Sequence, residues 1–484
     1  YHLRKFVKSK RPMPEVPAGN FNFDITINNT QLLTEIFMPE LIIEPNSRIS
    51  GEYHSHTAGL NIDVKSPGFE YQKNTVAAID LQYNGANSRS ELGFRVAGVK
   101  LASGFEIDSI FLGNFYYRDT LFYNLSWIFR DSVDSRANLS GYALQNDSLN
   151  FEFGIDSSYF NIGFQDFLIQ DGNRIFLDSA GVHIEELVIS NGGRALVING
   201  NLSDNPNEIL RLDLQGFGMD LANYFIGSPN ARFKGELYGD VIISQILGNP
   251  RFAANLSIDS LEMNNTLLGN FKAESDWTYK DDTISLAASL QLGKLRTLDV
   301  KGYYQPDSLG NIDFDIQFDQ FRLAGLNPLM SGLVENLRGY VNGGIQVSGN
   351  TGAPKVEGEL ELPKVAFTVS FLQTDYNLTG SPKVKILQDR ISFPDLVLRD
   401  SEFGTEGKIS GTVTHENFRN FDLDLRIDAD ELLALNTEAT ADNAYYGTAF
   451  VTGVITIKGP PDEVVIKADV STQRDTRFNI PLDV

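Results

Sequence analysis

The sequence predicts an all-β fold: an elongated, curled, mostly antiparallel sheet with a few short helices. Three observations lead there. Apolar and polar residues alternate with a period of two from end to end, which places oily side chains on one face of each strand. Helical spacing is confined to short runs. A module of about a hundred residues recurs, with glycines inside its strands.

The alternation begins with Phe21, Phe23, Ile25 and Ile27 set against Asn22, Asp24, Thr26 and Asn28. Leu210, Leu212 and Leu214 alternate with Arg211, Asp213 and Gln215. Ile312, Phe314, Ile316 and Phe318 are separated by Asp313, Asp315 and Gln317, with Asp319 following. Val341, Ile345 and Val347 precede Val356, Leu360 and Leu362, whose partners are Lys355, Glu357, Glu359 and Glu361. Leu423, Leu425 and Ile427 repeat the pattern late in the chain. Clusters of Gly, Asn, Asp, Ser and Pro divide the runs, so neighbouring strands are expected to pair antiparallel through short turns.

Helices are expected at 30–37, 219–225, 323–337 and 431–435. None is long enough to cover the apolar face of such a sheet. That face must close on itself, meet a second sheet, or take a non-protein apolar partner.

The repeat bears on that choice. At an offset of 104, Gly235, Gly239, Val241, Ile243, Ser244, Pro250, Phe252, Leu256 and Ile258 fall on Gly339, Gly343, Ile345, Val347, Ser348, Pro354, Val356, Leu360 and Leu362. A looser copy runs through Gly447, Gly453, Ile455, Ile457, Pro461, Val464 and Ile466. Glycine within a strand permits bends that larger residues resist, so the sheet should curve. The chain divides into a basic, proline-bearing linker at 1–20, a β segment at 21–208, and modules at 209–312, 313–421 and 422–484, the last truncated.

Charge and composition narrow the function. The formal net charge is −23, which repels phosphate backbones and makes nucleic acid a poor partner. The one basic cluster is Arg4, Lys5, Lys8, Lys10 and Arg11 in the linker. There is no cysteine, so disulfides, thiolate metal sites and cysteine nucleophiles are all excluded. Neither a secretory leader nor a run of about 18 apolar residues is present, so any membrane anchor is expected outside this piece.

No catalytic motif stands out. His54 and His56 flank Ser55 without a third ligand, and His2, His183 and His415 are scattered. Asp313, Asp315 and Asp319, and also Asp422 and Asp424, occupy the polar positions that alternation demands. No P-loop, dinucleotide fingerprint or calcium loop occurs. The expectation is a protein that is not an enzyme and carries no cofactor or metal.

At 339–349, Gly-Tyr-Val-Asn-Gly-Gly-Ile-Gln-Val-Ser-Gly is followed by Ala-Pro-Lys-Val-Glu-Gly-Glu-Leu at 353–360. Tyr-Gly-Thr-Ala-Phe-Val-Thr-Gly stands at 446–453, Lys-Gly-Pro-Pro at 458–461 and Asp-Thr-Arg-Phe-Asn-Ile-Pro-Leu at 475–482. In order and spacing these segments, over roughly 205–484, resemble the C-terminal portion of the TamB family, related to AsmA proteins and bridge-like lipid-transfer proteins. The resemblance implies a β-taco whose inside is apolar. It would span the periplasm of a Gram-negative bacterium between an inner-membrane anchor outside this chain and a TamA- or BamA-like outer-membrane barrel, met through a region also expected outside it.

On that reading the partner of the groove is phospholipid, lying against the apolar residues named above at 210–214, 241–258, 314–318, 341–362, 423–427 and 455–466. About 35–40 strands spaced by about 4.8 Å would extend roughly 150–190 Å. Two alternatives come from other classes: an assembly factor for outer-membrane or secreted β-proteins, and a β-helix adhesin or polysaccharide-active enzyme. The last would need rungs of some 20 residues, far shorter than this repeat.

An Asp-Ser/Thr-aliphatic pattern recurs with Ser109, Thr120, Ser132, Ser148, Ser179, Ser260, Thr283 and Ser308 at its centre. It is similar to the O-glycosylation acceptor of Bacteroidota. It equally suits a turn that opens a strand.

Overall fold

Residues that alternate polar and apolar cannot bury one face without pairing their backbones, and the chain does so almost throughout. The computed structural model describes all residues except 1–18, 30–37, 39–40, 87–88, 102–105, 131–133, 146–149, 163–164, 180, 227–229, 279–281, 307–309, 331–333, 371, 417–418, 439–444, 462 and 481–484. The basic linker and the helix expected at 30–37 therefore lie outside the described residues. Among those described, 35 strands are joined by antiparallel ladders, as the all-β reading requires.

Contacts divide the chain into two units, Tyr1–Gly216 with Ile242–Pro250, and Phe217–Val241 with Arg251–Val484. In the first, strands Asn20–Ile27, Ser47–His54, Gly59–Tyr71, Asn74–Ala86, Arg89–Lys100, Ser109–Tyr117, Thr120–Arg130 and Asp134–Gln145 follow as successive neighbours. The ladder then splits. Asp134–Gln145 pairs with two short strands, Phe151–Ile155 and Ser158–Ile162, which lead through Arg174–Leu177 and Gln165–Ile169 to the single strand Val182–Asn191. Arg194–Leu202 and Ile209–Gly218 continue it.

The second unit repeats this plan. Arg251–Met263, Thr266–Thr278, Thr283–Leu292, Leu295–Gln305, Asn311–Arg322, Tyr340–Asn350 and Ala353–Glu361 are successive neighbours. Lys383–Leu387, Arg390–Asp400, Glu406–Glu416, Arg419–Thr437, Tyr446–Gly459 and Val465–Thr472 follow. Here too a side branch forms, Val334–Arg338 with Ala366–Val369 and Thr374–Leu378, rejoining at Arg390–Asp400.

Turn chemistry closes these ladders. Asn264 and Asn265 join two strands with φ of 51° and 62°, the left-handed pair that matches strand twist in a two-residue hairpin.

The strands curl through bulges and glycines. Gly343 has φ of 109°, and a Cβ there would lie 2.3 Å from the Glu359 carbonyl on the next strand. Its repeat equivalent, Gly239, has φ of 129° and would meet the Asn255 carbonyl at 1.9 Å. Both let neighbouring backbones approach more closely than any side chain would allow.

Helices are as few as expected, with two corrections. Met219–Ile226 forms where the spacing places it. Over 323–337 the helix is reduced to a 3-10 turn, Ala324–Met330, because Pro328 cannot donate to a longer ladder; Val334–Arg338 is a strand. Residues 431–435 are not helical but lie within strand Arg419–Thr437. Register shifts at Ala429/Leu432 and Leu433/Leu435, with Glu431 at φ 53°, insert extra residues. These bulges break the two-residue alternation and bury both Leu432 and Leu433, which imitates helical spacing.

The second unit's packed end is held by a polar anchor. Asp400, 2% exposed, accepts hydrogen bonds from the backbone N–H groups of Glu402, Phe403, Gly404 and Thr405 and from the Thr405 hydroxyl. Burial raises its carboxyl pKa, but these donors outweigh it and hold the group below the usual range. Above it, the Tyr376 hydroxyl donates to the Leu433 carbonyl at 2.6 Å, and burial pushes this phenol well above its usual pKa.

Two outcomes follow. Gly343→Ala should destabilise the chain by at least about 2 kcal/mol in denaturant unfolding, since both the dihedral and the carbonyl oppose a methyl. Asp400→Asn should cost about 1–3 kcal/mol at neutral pH. A lowered carboxylate pKa stabilises above the unfolded-state value and is lost as pH falls through the folded one. The variant should therefore lose less melting temperature than wild type on going from about pH 5 to about pH 3.

Candidate functional site

In an antiparallel ladder, residues directly opposite one another share a face, so register alone traces what each face carries. In the second unit one such row runs Leu256, Ala273, Ala288, Val300, Ile316, Ile345 and Gly358. It continues through Ile386, Ile391, Val413 and Leu423 to Gly459. Twelve strands contribute, and no polar side chain interrupts. Beside it run Leu286, Gly302, Phe314, Val347 and Val356 on one flank, and Ile258, Phe271, Leu290, Leu298, Phe318, Gly343, Leu360 and Val384 on the other.

The opposite face is the converse. Asn255, Glu274, Ala287, Lys301, Asp315, Gln346 and Glu357 form one of its rows, and the next ends Glu359, Lys385, Ser392. Lys383 pairs with Glu359 at 2.6 Å and Lys458 with Asp424 at 2.9 Å. These are exposed pairs worth little individually, and their role is to keep that face wet.

The apolar rows are not uniformly sealed. Along one flank, Ile258, Leu261, Met263, Leu268 and Leu290 form a buried cluster against Met219 of the helix and Leu326 of the 3-10 turn. Farther along, Val365, Tyr376, Leu378, Val384, Leu396, Leu398, Ala429, Leu432 and Val451 form a second, roofed by the side-branch strands. In the middle row Val300, Ile316, Ile345, Val413 and Leu423 remain half-buried, as do Phe314, Val347, Leu425 and Ile457 beside it and Ile427 and Ile455, which pack on the second cluster. The face thus combines packed clusters with a half-buried middle row.

The sequence-predicted residues distribute as follows. Leu256, Ile258, Phe314, Ile316, Phe318, Ile345, Val347, Val356 and Leu360 share the apolar face of the second unit by register. Leu423, Leu425, Ile427, Ile455 and Ile457 share it as well. Val341 is buried opposite Phe321, and Leu362, just past its strand, packs on the larger cluster. Phe252 and Ile466 are exposed at strand ends or edges, and Val464 precedes its strand. Val241 and Ile243 are half-buried in strand Phe233–Ser244.

Leu210, Leu212 and Leu214 belong to the first unit, opposite Gly200, Ile198 and Leu196. That unit has its own apolar row, Ile25, Ile49, Val64, Leu81, Phe94, Leu112, Leu125 and Leu139. Sequence reasoning did not single out Val300, Ile386, Ile391 or Val413. Alternation would have found the first three, which lie two residues from Leu298, Val384 and Phe393, whereas Val413 stands between Gly411 and His415.

The Asp-Ser/Thr positions have varied settings. Ser109, Thr120 and Thr283 each open a strand directly after the aspartate. Ser260 is exposed in a bulge with φ of 51°, and Ser179 is exposed beyond strand Arg174–Leu177. Ser132, Ser148 and Ser308 lie outside the described residues. His54 ends a strand while His56 sits in the following turn, and among the described residues no three acidic or histidine side chains gather as metal ligands. Among the described residues no helix is long and apolar enough to cross a membrane.

If the middle row is an accessible floor, then Ile316→Asn and Val300→Asn should each leave the fold intact by circular dichroism. Each should cost less than the burial-driven loss from Leu290→Asn, which places the same amide where only 2% of the side chain is exposed.

Comparison with known proteins adds the family. No curated protein and no solved structure matches the chain. Residues 395–482 match the family model described as the TamB C-terminal domain. That span covers strands from Arg390–Asp400 to Arg477–Asn479, including the bulged strand Arg419–Thr437 and the late glycine-rich Tyr446–Gly459. Residues 395–482 thus carry a TamB C-terminal domain, and this match supports a TamB-family protein that serves in outer-membrane assembly.

Proposed function

We propose that the apolar face of this protein is a conduit for phospholipid in the periplasm, on a path between inner and outer membranes, and that the chain performs no catalysis. The observation that carries this reading is the twelve-strand row from Leu256 to Gly459, in which every side chain is aliphatic, aromatic or absent.

The physics favours a continuous face over isolated pockets. An acyl chain of about 15 methylenes loses roughly 0.8 kcal/mol per methylene when it leaves an apolar setting for water. Moving it across an aqueous gap therefore requires shielding at every step. Successive strands offer it nearly equivalent surfaces, Ala288 beside Val300, Val300 beside Ile316, Ile316 beside Ile345, so no step is much costlier than the last. Polar headgroups can remain in solvent along the trough's open side.

In this reading a TamA-like barrel receives the outer-membrane end, and the assembly of outer-membrane β-proteins is supported through the lipid supplied. The exposed strand Val465–Thr472 also offers an edge to an incoming β-strand, which favours direct templating of barrel proteins as the second reading.

Replacing Ile345 and Leu360 together by Asp should abolish lipid supply to the outer membrane in a strain sensitised for that supply, with the protein still present in the periplasm. Native mass spectrometry should find phospholipid with the wild-type chain and little with the variant. Undiminished lipid supply would remove the conduit reading, and loss of barrel-protein insertion alone would favour templating.

A further inference from the structure

The polar face of the first unit departs from the plain charged surface that solvation would ask of it. Opposite residues form one row, Asn22, Glu52, Asn61, Asn84 and Glu91, that then changes character to Phe115 and Phe122. The amide and carboxylate part borders an open trough of about 780 Å³. Its floor is the adjacent row, Asp24, Ser50, Asp63, Gln82 and Gly93.

At Gly93 a Cβ would meet nothing within 4 Å, so packing does not require the glycine there. Its effect is clearance. Gly113 lies directly opposite, where a Cβ would meet the Phe111 ring at 3.1 Å, so the absent side chain makes room for that ring on the same face as Phe115. At this end the aromatic rings are laid side by side. Phe115 and Phe122 have centroids 6.4 Å apart with planes 25° from parallel, and Phe115 and Tyr117 are 6.2 Å apart at 12°. Phe122 and Tyr117 are each 43% exposed, and the guanidinium groups of Arg89 and Arg118 stand 4.9 Å and 5.1 Å from the Phe115 and Tyr117 ring centres.

We propose that this surface binds an uncharged, extended glycan chain. Sugars present hydroxyls around their edge and a flat patch of C–H groups on their faces. Such a ligand needs amide and carboxylate acceptors in a shallow trough and an exposed planar ring to lie upon, and the row provides both in sequence. Polyanions are disfavoured, because Asp24, Glu52, Asp63 and Glu91 line the trough and Arg48 is already paired with Asp24. Successive strands repeat every 4.8 Å or so, a spacing close to that of consecutive sugars in an extended glycan, so neighbouring side chains can meet neighbouring rings. This site is on the face opposite the first unit's own apolar row, from Ile25 to Leu139, and does not depend on the lipid reading.

The test uses the whole chain with cellohexaose, chitohexaose and maltohexaose as neutral probes, a heparin hexasaccharide as the anionic one and an oligolysine as the cationic peptide, followed by titration calorimetry. At least one neutral hexasaccharide should bind. Phe122→Ala should weaken it by about tenfold and Phe122→Trp should retain it, with unchanged circular dichroism in both. Glu91→Gln should also weaken binding, while Tyr303→Ala, on the polar face of the second unit, should leave it unchanged. Absence of binding by all three neutral probes, binding indifferent to Phe122→Ala, or preference for heparin or oligolysine would each overturn the proposal.

Discussion

The constraint on which the molecule rests is the coupling of a two-residue side-chain period to antiparallel register. Once Ile316 lies opposite Val300 and Ile345, every second residue on all three strands is committed to the same face. A slip of one residue anywhere would bring Asp315 or Lys301 into the row. The bulges and glycines do not relax this rule. They bend the sheet while handing the register on, as Gly343 does opposite Phe318 and Leu360.

The two faces divide the work of stability and of function. Stability is concentrated in the packed clusters and their polar anchor, where Asp400 satisfies four backbone donors and Leu432 and Leu433 are each 1% exposed. The half-buried middle row contributes less, since its side chains keep partial access to solvent. A half-buried apolar row of this length is what the proposed apolar ligand would complete. The net charge of −23 opposes self-association of the chain.

Much of this was legible in the sequence. Alternation fixed the strands and their oily sides, and the repeated Gly-x-x-x-Gly located backbone approaches that the structure shows at Gly239 and Gly343. The helix at 219–226 could be read from spacing alone. Failures came where a local irregularity imitates another period. Two bulges made 431–435 look helical, and Pro328 cut a longer expected helix to a 3-10 turn. The glycan surface was invisible for a different reason. Its residues lie between Asn22 and Phe122 on several strands, and only register shows that they form one row. The Asp400 anchor likewise depends on a turn whose closure no pattern announces.

We propose that the second unit's apolar row is a continuous surface open to lipid. It is tested most directly by placing a photo-crosslinking amino acid at Val300, Ile345 and Val413 in turn, in living cells. Phospholipid adducts are expected at all three positions, and none when the probe replaces Lys301 on the other face. Adducts confined to one position, or confined to the protein itself, would contradict it.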